Sequence, residues 1–96
     1  VDRASVLALL TDKKPELVVQ FGVKDLALFG SYSREEHSHG SDIDILVVFD
    51  HPPEASRFFG LQFYLEDLLG KPVDLVTKTA LRSELRPFIE REAIHV

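Results

Sequence analysis

Leu26-Ala27-Leu28-Phe29-Gly30-Ser31, then ten residues, then Asp42-Ile43-Asp44-Ile45-Leu46-Val47-Val48-Phe49 is the stretch that decides the fold. The first apolar run is short and is followed at once by glycine, which reads as a strand buried on both faces that ends in a tight turn. Gly30 permits that turn, and the second run reads as another strand. Side chains alternate along a strand, so Asp42 and Asp44 project from one face with Cα atoms roughly 6.5 Å apart. Two carboxylates that close repel unless a proton or a cation lies between them. A pair fixed by backbone geometry therefore suits a hard divalent metal.

Outward from this stretch, the N-terminal part reads as two helices. Val1 to Leu10 carries Val6, Leu7, Leu9 and Leu10 at helical spacing, with Asp2 or Ser5 as cap. Thr11 to Pro15 restarts a second helix with the apolar stripe Leu17, Val18 and Phe21, stopping at Gly22. Ser31 to Glu36 can form a short helix, and Gly40-Ser41 turns the chain into the second strand. After Pro52-Pro53, Glu54 to Leu69 shows a helical stripe of Phe58, Leu61, Leu65, Leu68 and Leu69, with Gly70 as its stop.

Phe59 and Phe63 lie off that stripe, one turn apart. Either a second layer covers them or they form an exposed aromatic pair for a partner. Lys71 to Thr77 reads as a third strand, with Pro72 at its start where a missing donor matters least. Leu81, Leu85, Phe88 and Ile89 predict a last helix, bent or restarted at Pro87, and Ala93 to Val96 a short edge strand. The order of elements gives an α/β fold, a small mixed sheet flanked by helices.

Ninety-six residues, 45% of them hydrophobic, with a mean hydropathy near zero, fit one globular domain over 1–96. No signal sequence or membrane-spanning run is evident, so the cytoplasm is the expected compartment and no membrane partner is expected. Position 1 is valine, which reads as numbering that starts after processing or trimming. Cysteine is absent, so disulfides and thiolate metal sites are excluded. The formal charge of −5, with acids and bases interspersed, argues against an extended nucleic-acid groove. A homo-oligomer stays open.

Asp74 is the lone acid of the apolar stretch Val73 to Val76, and a charge buried in a sheet needs a partner. If the third strand lies beside the second, Asp42, Asp44 and Asp74 converge near the Gly30 turn. Such a site has the parts for phosphoryl or nucleotidyl transfer. Two divalent ions about 3.5 to 4 Å apart activate an attacking oxygen and stabilise the leaving pyrophosphate, while turn amides and a hydroxyl hold phosphates. Gly30 lets the backbone approach, Ser31 offers a hydroxyl and an N–H at a helix start, and Asp74 can serve as base. Arg34, one turn after Ser31, either faces the phosphates or is solvated. His37 and His39 lack an evident third ligand and read as a surface loop, and Tyr32 either stacks on a base or, the safer reading, packs partly against the domain. Glu90-Arg91-Glu92 reads as a solvated face.

Gly30-Ser31, ten residues and Asp42-Ile43-Asp44 between apolar runs resemble the signature of the DNA polymerase beta-like nucleotidyltransferase superfamily, and Val73-Asp74-Leu75-Val76 resembles its third-carboxylate strand. The segments Leu28 to Arg34 and Gly40 to Val47 are similar to the minimal nucleotidyltransferases, the MNT domains. The resemblance implies a nucleotidyltransferase-like fold, Mg2+ and ATP, and Asp42, Asp44 and Asp74 as metal-binding acids. It also implies a HEPN-domain protein as partner, in a toxin–antitoxin pair where AMP passes to a tyrosine of the toxin. Phe59 and Phe63 then become candidates for partner binding. Two alternatives stay open at this point: an antitoxin that acts by binding and occlusion alone, and transfer to a small-molecule hydroxyl. With no room for an acceptor-binding domain, another molecule has to complete the acceptor site.

Overall fold

The computed structural model describes residues 1–96. Its first element is one helix, α1 (Arg3–Phe21), where the sequence predicts two. Val6, Leu10, Leu17 and Phe21 are buried, and their spacing keeps them on a single face across Pro15. Pro15 removes the bond to the Thr11 carbonyl, but Thr11 and Pro15 are both exposed, so water can take that carbonyl and the helix continues. Val18 lies off the buried face and is exposed. Asp2 is the N-cap: its carboxylate accepts from the Ser5 N–H at 2.9 Å, and the Asp2 N–H donates to Ser5 Oγ at 2.9 Å.

Four strands follow: β1 (Val23–Phe29), β2 (Ile43–Phe49), β3 (Val73–Thr77) and β4 (Ile94–His95). They form one sheet in the order β3-β2-β1-β4. β1 runs antiparallel to both β2 and β4, and β2 and β3 are parallel, so the sheet is mixed. The parallel pair requires a crossover, which α3 (Ala55–Leu69) supplies. Between β1 and β2, Gly30–Ser33 forms the single turn of α2.

The two faces of the sheet differ. Leu26, Leu28, Ile43, Ile45, Val47, Val73 and Leu75 face α1 and α3 in the main core of 16 buried residues. Leu61, Leu65 and Leu69 of α3 are buried there, while Phe59 and Phe63 are 50% and 64% exposed, which selects the exposed reading of that aromatic pair. The opposite face carries the smaller cluster Ala27, Phe29 and Leu46, with the partly buried Val76, Leu81, Ile89 and Ala93 packed against it. After a 3-10 turn at Lys78–Ala80, the last helix, α4 (Arg86–Glu92), begins with Pro87 in its first turn, so Pro87 starts it and Leu81 precedes it. No residue of α4 is buried. No helix is long and apolar enough to cross a membrane.

Candidate active site

The thinly covered face of the sheet carries the acids. In register, Phe29 stands opposite Asp44, and Asp44 opposite Asp74. Asp42 precedes β2 by one residue and shares the Asp44 side of the strand by alternation. The three acids predicted from sequence are thus brought to one end of β2 and β3, where β1 finishes in Gly30. The register is enforced by the opposite face: a slip of one residue would carry Ile43 and Ile45 out of the core and Asp44 into it. Asp74 itself is exposed at the outer strand, not buried as its apolar neighbours suggest. It needs no charge partner to be stable there.

Gly30 touches this group directly. Its φ is +75°, in the left-handed region, and a Cβ built on it would overlap Asp44 Oδ2 and stand 2.9 Å from Asp44 Cγ and 3.1 Å from Asp44 Cβ. Only a residue without a side chain lets the turn close over the carboxylate. Tyr32, buried in the main core, and the Ser33 hydroxyl, which donates to the Gly30 carbonyl at 2.8 Å, hold the turn in place. The α2 segment ends at Ser33, short of the predicted Glu36. With one turn of helix its dipole is small, so any anion here must rely on the Gly30 and Ser31 N–H groups and the Ser31 hydroxyl.

Crowding shows in the acidity of Asp44, which is pushed up to about 6. The first cause is burial; the Asp74 charge, a hydrogen bond with Asp74 and the Asp42 charge add to it, and Arg34 opposes it. Asp44 therefore holds a proton more readily than an ordinary carboxylate, and a cation beside it can take that proton's place. No three His, Cys, Asp or Glu side chains are already closed into a metal-holding group. The donor chemistry nonetheless fits a hard divalent ion: three carboxylates, two of them directly opposite one another in register, with Asp42 exposed beside them.

Arg34 is exposed and paired with two acids. Its Nη1 donates to Glu92 Oε2 at 2.7 Å and its Nε to Glu36 Oε2 at 3.4 Å, which raises its already high pKa. Glu92 Oε1 accepts from the Gly30 N–H at 3.1 Å. Sequence reasoning missed Glu92, reading it as part of a solvated face. Nothing local in Glu90-Arg91-Glu92 signals that the end of α4 returns to the first turn. His37 stacks on the Tyr32 ring, with centroids 4.0 Å apart and 7° between planes, and joins no metal cluster.

A cavity of about 570 Å³ lies at the other end of the strands, lined by Pro52, Pro53, Phe58, Phe59, Thr77 and Lys78 among others. None of the three acids lines it. Size favours that cavity, but convergent carboxylates and a close-approach glycine carry chemistry, and they lie at the opposite end of β2.

A mixed sheet that presents three acids beside a glycine turn defines an enzyme of the phosphoryl-transfer type. Comparison with known proteins makes the assignment specific. Residues 12–96 match the family model of the nucleotidyltransferase domain, and the chain belongs to that family. Over 89 residues it is 45% identical to the protein adenylyltransferase MntA of Thermococcus cleftensis, covering 93% of this chain and 90% of the relative. Among solved structures, one assigned as a minimal nucleotidyltransferase superposes with a TM-score of 0.83 at 33% identity, covering 98% of this chain and 95% of that one. A toxin–antitoxin structure with AMP-PNP gives 0.69 at 25% identity, covering 99% and 72%. A tri-AMPylated Shewanella oneidensis HEPN toxin in complex with its MNT antitoxin gives 0.59 at 25%, covering 97% and 66%. The family and fold expected from the sequence are borne out, and the chain is a nucleotidyltransferase.

Proposed function

We propose that this protein is a magnesium-dependent adenylyltransferase that moves AMP from ATP to a hydroxyl of a protein partner, a tyrosine of a HEPN-domain toxin, and so serves as the antitoxin of the pair in the cytoplasm. The observation that carries this reading is the Asp44↔Asp74 register beside Gly30, whose turn comes directly against Asp44. Support comes from the MntA relative and from the two toxin–antitoxin structures, one with AMP-PNP and one with an AMPylated HEPN toxin.

In this reading Asp42, Asp44 and Asp74 hold Mg2+, which when bound supplies charge neutralisation of the polyphosphate and a more acidic attacking hydroxyl. Gly30 and Ser31 bind the terminal phosphates through backbone N–H groups and the Ser31 hydroxyl, and Arg34 adds positive charge. Asp74, exposed on the outer strand, accepts the proton of the acceptor hydroxyl. The bond from that oxygen to the α-phosphorus forms as the bond to pyrophosphate breaks, and the proton passes from Asp74 to solvent. Phe59 and Phe63, an exposed pair on α3, are the docking residues for a partner large enough to complete the acceptor site.

The test is intact mass of a HEPN partner after incubation with this protein, Mg2+ and ATP, with an Asp42→Asn, Asp44→Asn control. An AMP-sized increase on a tyrosine that the control lacks is the expected result. Tight binding by both proteins without any increase would show occlusion instead.

A further inference from the structure

The carboxylate of Glu92 rests on the two groups that the proposed function assigns to phosphate. Oε1 accepts from the Gly30 N–H at 3.1 Å and Oε2 from Arg34 Nη1 at 2.7 Å. The Glu92 side chain is 24% exposed, more sheltered than the 43% of Arg34. One amide N–H serves one good acceptor, and two anions cannot share it without repulsion.

The helix itself gives no reason for an acid here. Glu92 ends α4, where the helix dipole disfavours negative charge. The helix that bears it lies on the surface. No residue of α4 is buried; Ile89 and the following Ala93 pack on the small second cluster, Lys78 pairs with Glu90 at 3.5 Å, Arg86 donates to the Lys78 carbonyl at 3.3 Å, and β4 anchors the end that carries Glu92.

We propose that Glu92 is a placeholder for nucleotide phosphate, occupying the Gly30 amide and Arg34 until a polyphosphate displaces it, so that this one carboxylate sets the affinity for ATP. The inference rests on the proposed nucleotide site. The turn thus already holds an internal anion, and binding has two steps: release of Glu92 and seating of the phosphate. The Glu92 side chain can swing to solvent by rotation alone while α4 stays in place, because the pairing of β4 with β1 begins only two residues further on and fixes the backbone there.

The experiment is calorimetric binding of Mg-ATP to the full chain and to Glu92→Ala, Glu92→Gln and Glu90→Gln. Glu90→Gln removes the same unit of charge from α4 and loosens the same helix without touching the turn. Glu92→Ala is expected to bind about tenfold more tightly, since it removes two charge-assisted bonds that compete with phosphate. Glu92→Gln should fall between it and the wild type, because its amide oxygen still accepts from Gly30. Glu90→Gln should stay within about twofold of the wild type, as exposed pairs contribute little.

Unchanged or weaker binding in Glu92→Ala overturns the proposal, and so does equal tightening in Glu90→Gln, which would trace the effect to charge or to a loosened helix. If no variant, nor the wild type, binds Mg-ATP at all, the nucleotide site itself is refuted. Thermal unfolding of each variant, run alongside, separates loss of fold from loss of binding.

Discussion

Replacement of Gly30 by alanine isolates the link between backbone geometry and chemistry. Gly70 provides the control, because both glycines have φ near +70°, at +75° and +70°, yet a Cβ at Gly70 would meet nothing within 4 Å. The left-handed conformation alone costs an alanine about 1 to 2 kcal/mol. For a chain of this size that corresponds to a Tm lower by roughly 5 to 15 °C, the whole effect expected in Gly70→Ala. At Gly30 the new methyl must also displace Asp44. Its carboxylate can rotate, but Asp44 Cβ, 3.1 Å from the new atom, belongs to a strand locked by the core. Overpacking of this kind adds about 1 to 3 kcal/mol.

The larger difference should be in transfer. A displacement near 1 Å at a reacting group costs about 100-fold in rate. Gly30→Ala should therefore lose at least about 100-fold in AMP transfer, measured at a temperature where it is fully folded, while Gly70→Ala stays near the wild-type rate. Equal Tm losses and equal rates in the two variants would refute the close-approach role of Gly30.

The remaining predictions concern charge, metal and docking. Asp44, raised to about 6 from 3.8 by burial first and then by Asp74 and Asp42, contributes stability that is fully present below about pH 4 and is lost as pH rises through 6. A Tm series should therefore show the wild type falling between pH 4 and 7 and Asp44→Asn falling less; parallel curves would contradict this. Adding Mg2+ at pH 7.5 should raise the Tm of the wild type but not of Asp42→Asn, Asp44→Asn, and removing it with a chelator should reverse the gain. Phe63→Ser, at a side chain 64% exposed, should shift Tm by no more than about 2 to 4 °C while abolishing capture of the proposed HEPN partner. Substantial unfolding would show that Phe63 is core.

The legible parts of the sequence were those where one residue type has one physical use. The apolar runs of β1 and β2 name their own strands, Gly30 directly after an apolar run marks a tight turn, and the alternation of Asp42 and Asp44 puts both on one face whatever the topology. The β2 and β3 pairing was conditional, because strand adjacency is decided by where α3 packs.

Pro15 misled, since the same residue starts a helix or interrupts one depending on whether the carbonyl four residues back is exposed. Asp74 misled in the opposite sense: apolar neighbours suggest burial, but an outer strand leaves one side open. Glu92 was out of reach, because its contacts with Gly30 and Arg34 span 62 and 58 residues and no local spacing encodes them.

The most direct test of the central claim, that the Gly30 turn and the three acids form one nucleotide and metal site, is a crystal structure with a non-hydrolysable ATP analogue and Mg2+. The account predicts the ion about 2.1 Å from oxygens of Asp42 and Asp44, with Asp74 alongside and the phosphates on the Gly30 and Ser31 amides in place of Glu92. A nucleotide seated instead in the cavity beside Pro52, Phe58 and Thr77, with the three acids free of metal, would contradict it.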